Sequence, residues 1–124
     1  MTTNTEKILY ITTYGDENPD KAAFPFVLAN AALAMDVEVT IVLQSNAVRL
    51  ARKGFAETVP AAGGLPPLKK LIDDLVELGG RIWVCGPCIK VRNIEEADLI
   101  DGARVTAAAQ VNIAAMEANA VFTY

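Results

Sequence analysis

The chain has 124 residues, 52% of them apolar and 21% charged, which suits one soluble domain with a layered core and leaves too little for two. Its net charge of −4, with a pI near 4.7, excludes the basic patch that nonspecific nucleic-acid binding needs. The lack of histidine removes the commonest general base, the Ser-His and Cys-His pairs and mixed Cys/His zinc sites, and two cysteines alone cannot complete a four-thiolate metal site.

Residues 1–7 are polar with no apolar core, so no secretory signal is expected and a cytoplasmic, reducing location goes with that. Lys7-Ile8-Leu9-Tyr10-Ile11-Thr12 is the short apolar run of a buried strand. A turn-forming loop around Tyr14-Gly15-Asp16-Glu17-Asn18-Pro19 follows, and a helix is predicted over residues 20–35, capped by Asn18 or Asp20. Pro25 must kink that helix or mark a later start. Its alanine-rich surface is apolar nearly all round, offering one side to a sheet and the other to a second subunit. The same stretch is broken by Pro25 and Asn30 and is too short to cross a bilayer, so no membrane span is expected.

Val37-Glu38-Val39-Thr40-Ile41-Val42-Leu43 is the second strand. A short helix over residues 46–53 ends at Gly54, and residues 55–64 read as irregular. The strongest helical signal covers residues 66–78, with Leu68, Leu71, Ile72 and Leu75 on one face. Residues 81–84 form the third strand and run into Cys85. Beyond it lie a helical turn or two over residues 89–93, a connection closed by Asp101-Gly102, a short strand over 104–106, a helix over 110–118 and a last strand over 120–124. The alternation of strands and helices implies one α/β domain over residues 1–124, its parallel sheet covered on both faces.

Both cysteines of the chain sit in Trp83-Val84-Cys85-Gly86-Pro87-Cys88-Ile89-Lys90. In a parallel α/β sheet, ligands meet the carboxyl ends of strands, and Cys85 falls at such an end. A helix starting at Gly86 or Pro87 sets both sulfurs near free amide groups that favour negative charge, with Lys90 and Arg92 close behind. The pair suits a thiolate that carries sulfur or a dithiol that forms a disulfide, against the plain alternative of two buried, inert cysteines. Thr13, Gly15 and Asp16 end the first strand and are candidates for the same pocket, or for an ordinary turn in which Gly15 supplies backbone freedom. Asp16 and Glu17 would repel an anionic sulfur and are expected to face away from it. The Gly63-Gly64 and Gly79-Gly80 pairs match no phosphate-binding pattern, and no cofactor or metal is implied.

The tetrapeptide Cys85-Gly86-Pro87-Cys88 is that of thioredoxins, but its context differs. Thioredoxins carry it near their start, ahead of a proline that faces the pair; here most of the chain precedes Cys85 and no proline follows Pro87. The order of elements instead resembles the DsrE/DsrF-like family of small sulfur-relay proteins, which includes TusD-type subunits. Carrying that resemblance are the first strand with Thr13-Tyr14-Gly15-Asp16, the alanine-rich helix leading to Val37-Glu38-Val39-Thr40-Ile41-Val42, the Val84 to Lys90 segment, Asp98-Leu99-Ile100-Asp101-Gly102-Ala103 and the closing Ala120-Val121-Phe122-Thr123-Tyr124.

The resemblance implies a three-layer α/β/α domain with a mainly parallel sheet of about five strands. It also implies a homo-oligomer, commonly a trimer or hexamer. In active relay members a cysteine after a central strand accepts sulfane sulfur as a persulfide and passes it on, and Cys85 matches that position. Cys88 is not a general requirement of the family, which leaves open dithiol chemistry or sulfur release through disulfide formation. The expected function is therefore a sulfur carrier, or sulfurtransferase-like protein, whose partners are sulfur donor and acceptor proteins or small sulfane-sulfur species. The alternatives are a thiol–disulfide oxidoreductase or redox sensor using Cys85 and Cys88, and a noncatalytic oligomeric binding protein.

Overall fold

A computed structural model describes residues 5–124; residues 1–4, part of the segment read for a signal, lie outside the described residues. The elements run β1 (Lys7–Thr12), α1 (Pro19–Ala34), β2 (Glu38–Leu43), a 3-10 helix (Ser45–Ala51), α2 (Leu68–Glu77), β3 (Arg81–Cys85), α3 (Gly86–Val91), β4 (Ala103–Thr106), α4 (Ala108–Glu117) and β5 (Ala120–Thr123). The sheet has the order β4-β3-β2-β1-β5, and every pairing is parallel.

Local chemistry sets the helix ends. Asn18 Oδ1 accepts from the Lys21 amide at 3.1 Å, and Pro19 takes the first helical position, where a missing N–H costs nothing. Pro25 neither delays nor breaks α1; it is buried beside Ala22, Ala23, Phe26, Ala29 and Ala32, and that packing outweighs one lost hydrogen bond. Asp36 closes the helix in the left-handed conformation (φ 64°), letting the Val37 amide reach back to the Ala32 carbonyl at 3.0 Å. The predicted helix over 66–78 begins two residues late. Pro67 restricts Pro66 and itself stays extended at ψ 143°, so Leu68 is the first helical residue.

The register sorts the strand residues onto two faces. Tyr10 pairs with Ile41, Ile41 with Ile82, and Leu43 with Val84, so these side chains share a face. The connections from β1 to β4 all step one way across the sheet, and right-handed crossovers put α1 and α2 on that face. There they bury Phe26, Leu71, Ile72 and Leu75 with Tyr10, Ile41, Ile82 and Val84 in the main core. The last connection crosses back along the whole sheet, and α4 lies on the other face.

That second cover is thin. No residue of α4 is buried, Ile113 and Met116 are 51% and 78% exposed, and a cavity of about 190 Å³ separates the helix from Leu9, Thr40 and Trp83. The sheet is thus covered on both faces, as a three-layer α/β/α domain requires, closely by α1 and α2 and loosely by α4. The second side of α1 is occupied by α2 of the same chain, where Asn30 Nδ2 donates to the Leu71 carbonyl at 3.1 Å.

Candidate functional site

Because the strands are parallel, the carboxyl ends of the central strands β1, β2 and β3 bring Thr13, Ser45 and Cys85 together at one end of the sheet. They border a shallow, open cleft completed by Pro87, Cys88 and Arg92. Cys85 ends β3 and caps α3, which starts at Gly86 and carries Pro87 in its first turn. A Cβ at Gly86 would meet Val105 Cγ1 at 3.3 Å, so a small residue there lets α3 begin tight against β4. The chain therefore turns back within three residues, and Cys88 lies over Cys85. Their sulfurs are joined as a disulfide, with the Cα atoms 5.2 Å apart, in the usual range for such a bond. Both residues are half-buried.

The two sulfurs differ in their surroundings. The Ser45 amide donates to Cys88 Sγ at 3.3 Å, and Ser45 adopts the left-handed conformation at φ 51°. Arg92 Nη1 donates to the Cys88 carbonyl at 3.1 Å, which holds its guanidinium at the cleft. Thr13 is engaged elsewhere: its amide and hydroxyl both donate to the Tyr124 carbonyl, at 3.2 and 3.1 Å, and tie the end of the chain to β1.

Thr13, Cys85, Cys88 and Arg92 thus share one cleft, while Gly15 and Lys90 lie outside it. Lys90 is exposed on the far side of α3, beside Glu95 and Glu96. Gly15 is buried under the 3-10 helix, where a Cβ would stand 2.7 Å from the Asn46 carbonyl oxygen. Close approach, not a left-handed backbone, is what calls for glycine there. Asp16 and Glu17 face the 3-10 helix. Asp16 pairs with Arg49 at 3.3 Å, and Asn46 Nδ2 donates to Glu17 Oε1 at 2.7 Å. Burial pushes the Glu17 carboxyl up, but hydrogen bonds from Asn46 and the Gly15 amide, with the Arg49 charge, outweigh it and hold its pKa below the ordinary glutamate value.

Ser45 escaped the sequence reading. The signal was the end of the β2 run at Leu43, but only the pairing of β2 with β3 turns that into proximity to the cysteines. Among the described residues no group of three or more potential ligands converges on a metal position, and no helix is long and apolar enough to cross a membrane.

Comparison with known proteins agrees with this architecture. The DsrE/DsrF-like family profile matches residues 6–124. A Methanocaldococcus jannaschii protein named "Uncharacterized protein MJ0989" is 35% identical over 99 residues, covering 80% of this chain and 82% of the relative. A second protein of that organism, "Uncharacterized protein MJ0760", is 32% identical over 106 residues; the match takes in 86% of this chain but only 38% of that longer protein. Among solved structures, the ychN protein of E. coli superimposes with a TM-score of 0.81 at 19% identity, over 97% of this chain and 100% of that one. MTH1491 of Methanobacterium thermoautotrophicum gives 0.68 at 14% identity, over 96% and 99%. At those identities the structural likeness shows the fold.

Proposed function

The chain belongs to the DsrE/DsrF-like family, which is associated with sulfur relay, and from that premise we propose that it carries sulfane sulfur as a persulfide on Cys85 and hands it to a partner. The observation that carries this reading is the position of Cys85, half-buried at the carboxyl end of β3 and open to the cleft. Once the pair is reduced, the Cys85 thiolate attacks the outer sulfur of a donor persulfide or polysulfide. The donor's sulfur–sulfur bond breaks, the shortened donor leaves as a thiolate or sulfide, and Cys85 keeps the transferred atom. An acceptor thiolate then attacks that terminal sulfur and regenerates Cys85. Thr13 and Arg92 border the cleft in which this exchange takes place. Gly15 shapes the wall behind it, and Lys90 contributes at most long-range positive potential. The partners are a sulfur donor and a sulfur acceptor, and the reading belongs to a reducing, cytoplasmic setting.

The experiment is cyanolysis of sulfane sulfur from reduced protein loaded with inorganic polysulfide and desalted. Wild type and Cys88→Ser loaded for a short time yield thiocyanate, whereas Cys85→Ser yields none. A Cys85→Ser protein that still yields thiocyanate at the wild-type level sinks the assignment.

The disulfide supports a second reading, a thiol–disulfide oxidoreductase or redox sensor built on Cys85 and Cys88. It requires disulfide-reductase turnover and a reduction potential within the range of dithiol catalysts. Under either reading the chain works as a homo-oligomer, a trimer or hexamer. What supports this is α4, an apolar helix with no buried side chain, lying over Trp83 and a cavity.

A further inference from the structure

A plain carrier has no use for Cys88, yet three features of the site suit it to a chemical step. First, the Cα separation of 5.2 Å puts its sulfur within bonding reach of Cys85 Sγ with no movement of the backbone. Second, the Ser45 amide aims at Cys88 Sγ, an interaction that favours thiolate over thiol, while among the described residues no hydrogen bond reaches Cys85 Sγ. Third, that donor is held by a strained residue. The other left-handed non-glycine residues, Asp36 and Asn93, close helices and allow the following amide to bond back to the last turn, as Val37 and Ile94 do. Ser45 closes no helix; it lies two residues past the end of β2, opens the 3-10 helix, and its amide meets the sulfur.

Building on the persulfide reading, we propose that Cys88 discharges the Cys85 persulfide within the chain and releases the sulfur as sulfide. The Cys88 thiolate attacks Cys85 Sγ and a new Sγ–Sγ bond forms. The bond from Cys85 Sγ to the outer sulfur breaks, and that sulfur leaves as hydrosulfide with the proton of the persulfide, or of water if the persulfide is ionised. The two cysteine thiols give up two electrons to become the disulfide, and the sulfane sulfur takes up both. No outside reductant enters this step. A small thiol or a dithiol protein then opens the disulfide by exchange, so each turnover consumes two thiol equivalents and converts one sulfane sulfur to sulfide. Handover to an acceptor must outrun this internal discharge, which gives the carrier a built-in lifetime.

The test follows reduced wild type and Cys88→Ser, each loaded briefly with inorganic polysulfide, desalted, and sampled over time for sulfide in the filtrate and for the state of both cysteines by peptide mapping. The expected result is that the wild-type persulfide decays faster than that of Cys88→Ser by about tenfold or more, as when a bimolecular exchange becomes intramolecular. One sulfide should appear for each Cys85–Cys88 disulfide formed. A wild-type persulfide that lasts as long as that of Cys88→Ser overturns the discharge step and leaves the carrier intact. No persulfide on Cys85 in the Cys88→Ser protein overturns the carrier reading, and the discharge with it. Matched circular dichroism and melting curves for the two proteins ensure that the comparison is between folded molecules.

Discussion

Gly15→Ala links the packing of the fold to the chemistry of the cysteines. The added Cβ would lie 2.7 Å from the Asn46 carbonyl oxygen and 3.1 Å from Asn46 Nδ2, where ordinary contact begins near 3.4 Å. The near atom is backbone, so no side chain can swing aside to make room. The 3-10 helix must recede by roughly half an ångström, at a cost of about 1–3 kcal/mol, typical of an overpacked core. For a domain of this size each kcal/mol lowers Tm by about 3–5 °C, so a fall of roughly 3–15 °C is expected by calorimetry. Ser45 directly precedes Asn46, and the same displacement draws its amide away from Cys88 Sγ. In a Cys85→Ser background, Gly15→Ala should therefore remove a donor from the Cys88 sulfur and slow its alkylation by iodoacetamide at neutral pH. Gly63→Ala is the control: nothing lies near its Cβ, and its Tm should stay within the shift that about 0.5 kcal/mol gives. A Gly15→Ala protein that matches this control in Tm and keeps the Cys88 alkylation rate would refute both halves of the reasoning.

Other perturbations test separate parts of the account. Leu75 is fully buried between α2 and the sheet, and Leu75→Ala should cost about 2–5 kcal/mol in urea unfolding, with the m-value unchanged. Glu17 has a lowered pKa when folded, so its ionised form stabilises the fold above its unfolded value of about 4.3, and that stability is lost as pH falls through the lower folded value. Glu17→Gln should accordingly have a lower urea midpoint than wild type near neutral pH, and the gap should close as the pH falls through the lowered folded pKa of Glu17. Met116→Asp puts a charge on the exposed face of α4; light scattering should show wild type as an oligomer and the variant as a smaller species with unchanged secondary structure.

The chain order of strands and helices was legible because its signals are local. β-branched runs mark β1 and β2, the spacing of Leu68, Leu71, Ile72 and Leu75 marks α2, and Asn18-Pro19 marks the start of α1. The cysteine motif at the end of β3 was legible for the same reason. Strand order was not, because pairing is a contact between distant residues, and with it went the one donor that distinguishes the sulfurs, the Ser45 amide beside Cys88. Side-chain direction was lost too. Lys90 lies in the last turn of α3 and Arg92 caps that helix two positions on, so the two point apart, and only Arg92 borders the cleft. The all-round apolar character of α1 did not reveal that one of its sides packs on α2 of the same chain, and α4, shorter and less conspicuous in sequence, is the helix with no buried side chain.

The most direct test of the account is intact-protein mass spectrometry of reduced protein before and after a brief exposure to polysulfide, with peptide mapping of Cys85 and Cys88. The account predicts one added sulfur atom, located on Cys85, removed by a thiol reductant and absent from Cys85→Ser. Added sulfur located on Cys88 alone, or no added sulfur on Cys85 even when Cys88 is replaced by alanine, would contradict it.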